Sequence, residues 1–256
     1  MMVNYIYDGS FQGFLTVCYD ALENRINPGG ISITENYHND LFSEIREISP
    51  DRDKSAKLIN YLKKRFDYET IQNVYYSFLS ECSDIEKAIL DYILLCFKFG
   101  KNVDGYHSND CVKKINEAVR KVTCEKHKFI GIIRFKLLKD GIFYASIEPD
   151  NNITGLLINH FKKRFSCQKW LIHDIKRNIG AIYNLKTASL VNIENYDKNI
   201  LSFDNDSGVF HEDEIEFQNL WKTYFKNICI KERINPRLQR QFIPVRYWKY
   251  LVEKQA

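Results

Sequence analysis

Apolar positions recur along the chain with two periods, and the change from one to the other divides the sequence. Tyr5–Asp8 predicts a short strand, and the YDGS turn that follows places Ser10 to cap a helix through Phe14, Val17, Cys18, Ala21 and Leu22. INPGGIS, Ile26 to Ser32, breaks the pattern, and residues 33–50 fit neither period. From Asp53 the spacing is helical. Leu58, Ile59, Leu62 and Phe66 share one face, while Lys54, Lys57, Lys63 and Lys64 point elsewhere. Tyr68–Glu81 predicts another helix. Asp84–Gly100 gives the clearest stripe, through Ile85, Ala88, Ile89, Tyr92, Ile93, Cys96 and Phe97, with Gly100 as the stop. Leu90, Leu94 and Leu95 widen its apolar face and mark a central helix. A further helix starts at Ser108 and runs through Val112, Ile115, Val119 and Val122.

Beyond it the period shortens. FIGIIRFKLL, Phe129 to Leu138, reads as a strand, Lys139-Asp140-Gly141 as a hairpin turn, and IFYASI as the returning strand. Both faces of this ribbon are mostly apolar, which predicts cover on both sides. Helix Ile153–Phe165, strand Trp170–Asp174, a turn at Lys176–Asn178 and strand Ile179–Asn184 follow. The order α-β-β-α-β-β reads as an internal duplication, with RKVTCEK (Arg120–Lys126) echoed by KRFSCQK (Lys163–Lys169). Asn192–Asp213 is a polar, acidic, lid-like loop. Glu214–Ile228 is an amphipathic helix through Phe217, Leu220, Trp221, Tyr224 and Phe225, and Asn235-Pro236 turns the chain. The expected fold is α+β: a mainly antiparallel sheet built from two hairpins and flanked by helices, with a largely helical N-terminal half. The expected organisation is a helical part over 1–105, the α-β-β-α-β-β core over 106–190, the acidic loop over 191–213, and the C-terminal helix and tail over 214–256, all in one compact unit.

The 45% hydrophobic and 27% charged content of the 256 residues suits a globular core and argues against disorder as the main state. The 14% aromatic share predicts a core rich in rings. The cysteines form no C-x-x-C and no metal-ligand run, so reduced thiols are expected. MMVNYIYDGS lacks the basic start and apolar stretch of a signal peptide, and AILDYILLCFKFG is too short to span a bilayer and carries Asp91. A cytoplasmic protein with no membrane segment is expected.

The net charge of +4 is unevenly placed: Lys113–Lys139 carries +7, and Lys162–Arg177 and Lys231–Lys254 carry +5 each. The remainder is acidic, including the run from Glu194 to Glu216. Segregation of this kind predicts basic surfaces that meet a polyanion.

No P-loop, G-x-G-x-x-G, H-E-x-x-H, G-x-S-x-G or iron–sulfur C-x-x-x-C-x-x-C is present, so neither a cofactor nor a metal is expected of this chain. Polar groups gather best around the expected hairpin. His127, Lys128 and Arg134 lie on or before its first strand, Glu148-Pro149-Asp150 follows its second, and His173, Asp174 and Arg177 end a later strand. A turn at Asp140-Gly141 sets Arg134 opposite Ile147, one rung from Glu148 and on the opposite face. His127, Arg134, Glu148, Asp150 and Asp174 are therefore candidates for acid–base chemistry. The plainer alternative has Asp150 capping the next helix and Glu148 pairing with a base. Asp8-Gly9-Ser10 resembles a nucleophile turn, but a capped helix start also accounts for it.

The C-terminal stretch RINPRLQRQFIPVRYWKYL has a different composition. Arg233, Arg237, Arg240, Arg246 and Lys249 interleave with Phe242, Tyr247, Trp248 and Tyr250, and no acid lies between Arg233 and Leu251. Arginine forks match phosphate, and rings stack on bases or brace guanidinium groups. Arg233, Arg237, Arg240, Arg246 and Lys249 are candidates to hold phosphate, and Tyr247 and Trp248 to stack or to fix the arginines. The alternative is a tail whose rings pack on the core while its arginines stay in water.

Taken together, YDGSFQGFL (Tyr7–Leu15), YYSFLSE (Tyr75–Glu81), HKFIGIIRF (His127–Phe135), YASIEPDNNI (Tyr144–Ile153), HFKKRF (His160–Phe165), WLIHDIKR (Trp170–Arg177), LWKTYF (Leu220–Phe225) and INPRLQRQFIPVRYWKYL (Ile234–Leu251) resemble one family. This is the bacterial family described as "probable DNA metabolism protein", whose domain is otherwise of unknown function. The terminal N-P-x-x-Q-x-x-x-x-P-x-R-Y-W-x-x-L pattern is the most specific element. The resemblance implies a neighbour in DNA repair or modification, a radical-SAM protein. In some relatives it also implies fusion to a uracil-DNA-glycosylase-like domain, of which this chain reads as the stand-alone form. Lacking cluster cysteines, the chain is expected to leave radical chemistry to that partner. The expected function is thus a DNA-binding accessory protein. Two alternatives remain open at this point: an enzyme acting on DNA or nucleotides through His127, Glu148 and Asp150, and an interaction module that makes no DNA contact.

Overall fold

The structure, a computed structural model, describes residues 2–34, 43–100, 103–193 and 209–255. The chain divides into two compact units, Met1–Thr123 and Cys124–Ala256. Most of the expected acidic loop, residues 194–208, lies outside the described residues. Among the described residues, no helix is long and apolar enough to cross a membrane.

In the first unit, β1 (Met2–Tyr7) lies between β2 (Gly30–Ile33) and β3 (Ser43–Ile48), parallel to both. Four helices accompany this sheet: α1 (Phe11–Glu23), α2 (Arg52–Arg65), α3 (Tyr68–Phe78) and α4 (Ile85–Phe99). Their starts follow capping chemistry. Ser10 Oγ accepts from Gly13 N, Asp51 from Asp53 N and Lys54 N, and Asp67 from Thr70 N. Asp8 Oδ1 accepts in turn from both the Ser10 amide and hydroxyl, so the Asp8-Gly9-Ser10 turn is engaged as a helix cap. The core gathers Tyr5, Phe14, Leu58, Ile89, Tyr92 and Ile115.

Helix α5 (Asp110–Ile132) contains the division between the units. Phe129–Ile132, expected as a strand, is its final turn. The physical reason lies in its buried series Val112, Ile115, Ala118, Val122, Glu125, Phe129 and Ile132, which keeps three- and four-residue steps throughout.

The second unit holds a five-stranded sheet in the order β4 (Lys136–Leu137), β5 (Phe143–Ile147), β6 (Trp170–Asp174), β7 (Ile179–Tyr183), β8 (Ala188–Asn192). Helix α6 (Thr154–Arg164) joins β5 to β6, and these neighbours run parallel; the other pairs are antiparallel. The expectation of a mainly antiparallel sheet is therefore corrected: one sheet is wholly parallel and the other mixed. A helix long enough to cross back over the sheet returns the next strand in the same direction, and this sets the β5–α6–β6 geometry. The sequence echo is no structural repeat either. Arg120–Lys126 lies inside α5, whereas Lys163–Lys169 spans the end of α6 and the turn before β6. The unit continues through α7 (Glu214–Ile228), α8 (Pro236–Phe242) and two short 3-10 turns, Val245–Tyr250 and Val252–Lys254.

Candidate functional site

The chain leaving β5, Glu148 to Ile153, is held by three parts of the second unit. The first is Glu125, on the buried stripe of α5. Its Oε1 accepts from Asp150 N at 2.7 Å and Tyr247 Oη at 3.0 Å, and its Oε2 from Asn151 N at 2.8 Å and Asn151 Nδ2 at 2.6 Å. One carboxylate, 7% exposed, thus satisfies two backbone amides and two side chains. The second is Arg177, from the turn after β6. It donates to the carbonyls of Pro149 at 3.2 Å and Asp150 at 2.7 Å, and to the buried Asp174 carboxylate at 2.8 Å. Thr154 Oγ1 donates to the same carboxylate at 3.3 Å.

The third part is the Val245–Tyr250 turn. Arg246 pairs with Asp150 and lies over the Tyr247 ring at 4.8 Å. Tyr247 is 3% exposed and meets Phe129 edge-on at 5.0 Å. Lys249 pairs with Glu148. Burial works to raise the Glu148 pKa, but hydrogen bonds from Lys249 and Tyr250 outweigh it and leave the carboxyl below its ordinary range. Trp248 Nε1 donates to Ile243 O at 3.0 Å, and Lys254 Nζ sits 4.6 Å from the Trp248 ring, so this ring ties α8 to the turns after it.

The tail candidates therefore separate into two groups. Arg246, Tyr247, Trp248 and Lys249 are engaged within the unit. Arg233, Arg237 and Arg240 are exposed and, among the described residues, meet no carboxylate. Asn235 caps α8 by accepting from Leu238 N at 3.0 Å, with Pro236 opening the helix, so Arg237 and Arg240 lie one turn apart.

Of the acid–base candidates, Glu148, Asp150 and Asp174 gather around the loop after β5, and His127 and Arg134 do not join them. His127 lies two positions beyond Glu125 on α5, about 200° around the helix from it, and is exposed. Arg134 is not set opposite Ile147, as the hairpin register predicted. The true pairing is Lys136 with Tyr144, and Arg134 reaches Glu253 at 2.7 Å instead. Glu148, Asp150 and Asp174 each bind a cation already named. Among the described residues no group of three His, Cys, Asp or Glu side chains gathers as a metal would require.

Glu253, which the sequence reading passed over, anchors a second structure. It accepts from Arg134 and from Trp221 Nε1 at 2.9 Å, and the Arg134 guanidinium lies 5.3 Å from the Trp221 ring. Burial works to raise the Glu253 pKa, but bonds from Arg134, its own backbone and Trp221 outweigh it and hold the carboxyl below its ordinary range. Beside this group opens a cavity of about 580 Å³, mostly apolar, bounded by Phe135, Phe143, Phe217 and Trp221. Glu214, Phe217, Gln218 and Trp221 recur on α7 at three- and four-residue steps, which brings all four to the cavity wall. Elsewhere on α7, Ile215, Leu220, Tyr224 and Ile228 are each more than half exposed.

No curated protein and no solved structure matches the chain. One family model matches, over residues 83–253; its family, DUF4130, is described as a domain of unknown function.

Proposed function

The chain belongs to the DUF4130 family, and from that premise we propose that it is a nucleic-acid-binding accessory protein of DNA repair or modification, acting beside a radical-SAM partner that supplies the redox chemistry. The observation that carries the reading is the state of the C-terminal arginines. Arg233, Arg237 and Arg240 stand exposed with no carboxylate partner among the described residues, on a segment whose aromatic neighbour Phe242 is also exposed. Guanidinium groups in that state offer phosphate its preferred bidentate geometry without first breaking an ion pair. The exposed stripe of Leu220, Tyr224 and Ile228, at four-residue steps on α7, supports a protein partner on the same unit. His127 lies on another face of α5, and Glu148 and Asp150 are each ion-paired, which weighs against the enzyme alternative built on those residues.

The test is anisotropy of labelled single-stranded and duplex DNA across a salt series. Each phosphate contact adds about −0.7 to the log–log salt slope on a single strand and about −0.9 on duplex. The reading expects salt-sensitive binding with a slope of several contacts. A folded protein that binds neither DNA at low salt refutes it, and the partner-docking alternative then takes its place.

A further inference from the structure

The cavity beside α7 has the wall chemistry of a site for a flat ring. Its volume of about 580 Å³ falls within the range of small-ligand pockets. Phe135, Phe143, Phe217 and Trp221 give it aromatic walls, and two of these rings, Phe217 and Trp221, remain substantially exposed at 58% and 37%. Rings of that size left half in water at the mouth of a pocket are surface on which another π-face can stack.

The polar groups at the wall fall into two classes. Arg134 is occupied by Glu253, and Glu214 by Leu137 N at 2.8 Å and Gln218 Nε2 at 2.9 Å. Arg134 is balanced by Glu253, and the Glu214 charge is opposed by that of the buried Lys136 nearby, which disfavours a charged ring. Gln168 and Gln218 are side-chain amides, each with a donor and an acceptor end. Because Gln218 donates its amide hydrogen to Glu214, its carbonyl oxygen remains as an acceptor. Amide pairs of this type match the donor and acceptor edge of a nucleobase.

Positive charge lies on the segment that supplies Gln168. Lys162, Lys163, Arg164 and Lys169 are all exposed, and no acidic partner is recorded for them among the described residues. Phe165, within that segment, packs on the cavity ring Phe135 at 5.4 Å. Bases beside an aromatic pocket are the arrangement by which single-strand binders hold a backbone while a base stacks.

We propose that this cavity takes one unpaired nucleobase of a single-stranded nucleic acid. Phe217 and Trp221 stack on the ring, Gln168 and Gln218 meet its edge, and the bases of Lys162–Lys169 hold the flanking phosphates. The inference rests on the nucleic-acid reading above and adds to it the state of the substrate: a base outside a duplex.

The experiment compares four ligands on the wild-type protein: a single-stranded oligonucleotide, the same strand with abasic positions, its duplex, and a free nucleoside monophosphate. Binding is followed by anisotropy and by Trp fluorescence, and Phe217→Ala and Lys163→Glu/Arg164→Glu variants run alongside with circular dichroism as the fold control. Removing the bases should weaken binding roughly tenfold to a hundredfold, the range of one stacked base. Phe217→Ala should weaken the intact strand by a similar factor and leave the abasic strand unchanged. The double charge reversal should weaken both strands. Equal binding of intact and abasic strands overturns the pocket while leaving the nucleic-acid reading in place. Tighter binding of the duplex than of the strand also overturns it. A monophosphate that binds as tightly as the strand makes this a mononucleotide site and overturns the single-strand assignment. Absence of binding to every ligand removes the pocket and the broader reading together.

Discussion

Replacing Glu125 by Gln should destabilise the second unit far more than replacing its neighbour in the same network, Asp150, by Asn. Glu125 spends both oxygens, each accepting two hydrogen bonds, from Asp150 N, Asn151 N, Asn151 Nδ2 and Tyr247 Oη. A glutamine keeps one acceptor oxygen and turns an NH₂ toward the other two donors. Two hydrogen bonds to a charged acceptor are then lost, at about 1.5–3 kcal/mol each. Asn151 and Tyr247 are 7% and 3% exposed, so water cannot easily replace the missing partner. A loss of about 3–6 kcal/mol follows before any rearrangement, a large part of the stability of an ordinary domain. Asp150→Asn removes only its ion pair with Arg246, in which both side chains are more than half exposed. That pair is solvent-screened and contributes about 0–1 kcal/mol. Urea unfolding followed by Trp fluorescence suits the comparison, because Trp170, Trp221 and Trp248 all lie in Cys124–Ala256. Tyr247→Phe combined with Glu125→Gln should show a coupling of about 0.5–3 kcal/mol. If Glu125→Gln costs no more than Asp150→Asn, the carboxylate does not organise the loop as described.

Three further outcomes can be measured independently. Burial holds the His173 pKa below its ordinary value, with the Asp174 charge opposing. Below about pH 6.5 the unfolded chain therefore takes up a proton that the folded chain refuses, and stability falls with pH by at most about 1.4 kcal/mol per unit. His173→Gln should flatten that slope in urea titrations, and an unchanged slope would assign it elsewhere. Gly13→Ala should destabilise the first unit by about 1–3 kcal/mol, since the added Cβ would lie 2.1 Å from Asp8 Oδ1, the oxygen that braces the Ser10 cap; a thermal midpoint equal to wild type would count against this tight turn. Glu253→Gln should redshift Trp fluorescence by loosening the bonds from Arg134 and Trp221, and an unchanged spectrum would mean that Trp221 is held by other contacts.

Much of the fold is legible where apolar spacing decides the element. The stripes of α2 and α4, the Ser10 cap and strands β6 and β7 all follow from residue pattern alone. The FIGII stretch misleads because β-branched residues at a helix end look like a strand, and only the buried series that runs back to Val112 reveals the helix. β3 escapes because no residue of SEIREI is buried: pairing of its backbone with β1, not apolar alternation, makes it a strand. For the site, sequence singles out Arg246, Tyr247, Trp248 and Lys249 by type but not by partner. Glu125 carried a usable signal, as an acid at a core position of α5. Glu253 and the α7 cavity carried none, since their partners lie far apart in the chain: Arg134 and Glu253 are separated by 119 positions.

The central claim is that the basic tail is divided, with Arg233, Arg237 and Arg240 facing phosphate and Arg246 and Lys249 bracing the loop after β5. The most direct measurement sets Arg233→Ala/Arg237→Ala/Arg240→Ala against Arg246→Ala/Lys249→Ala, comparing the log–log salt slope of single-stranded DNA binding. Up to three phosphate contacts at about 0.7 each predict that the first variant flattens the slope by roughly two units. The second variant should leave the slope close to wild type. Flattening by the second variant and not the first would contradict the division.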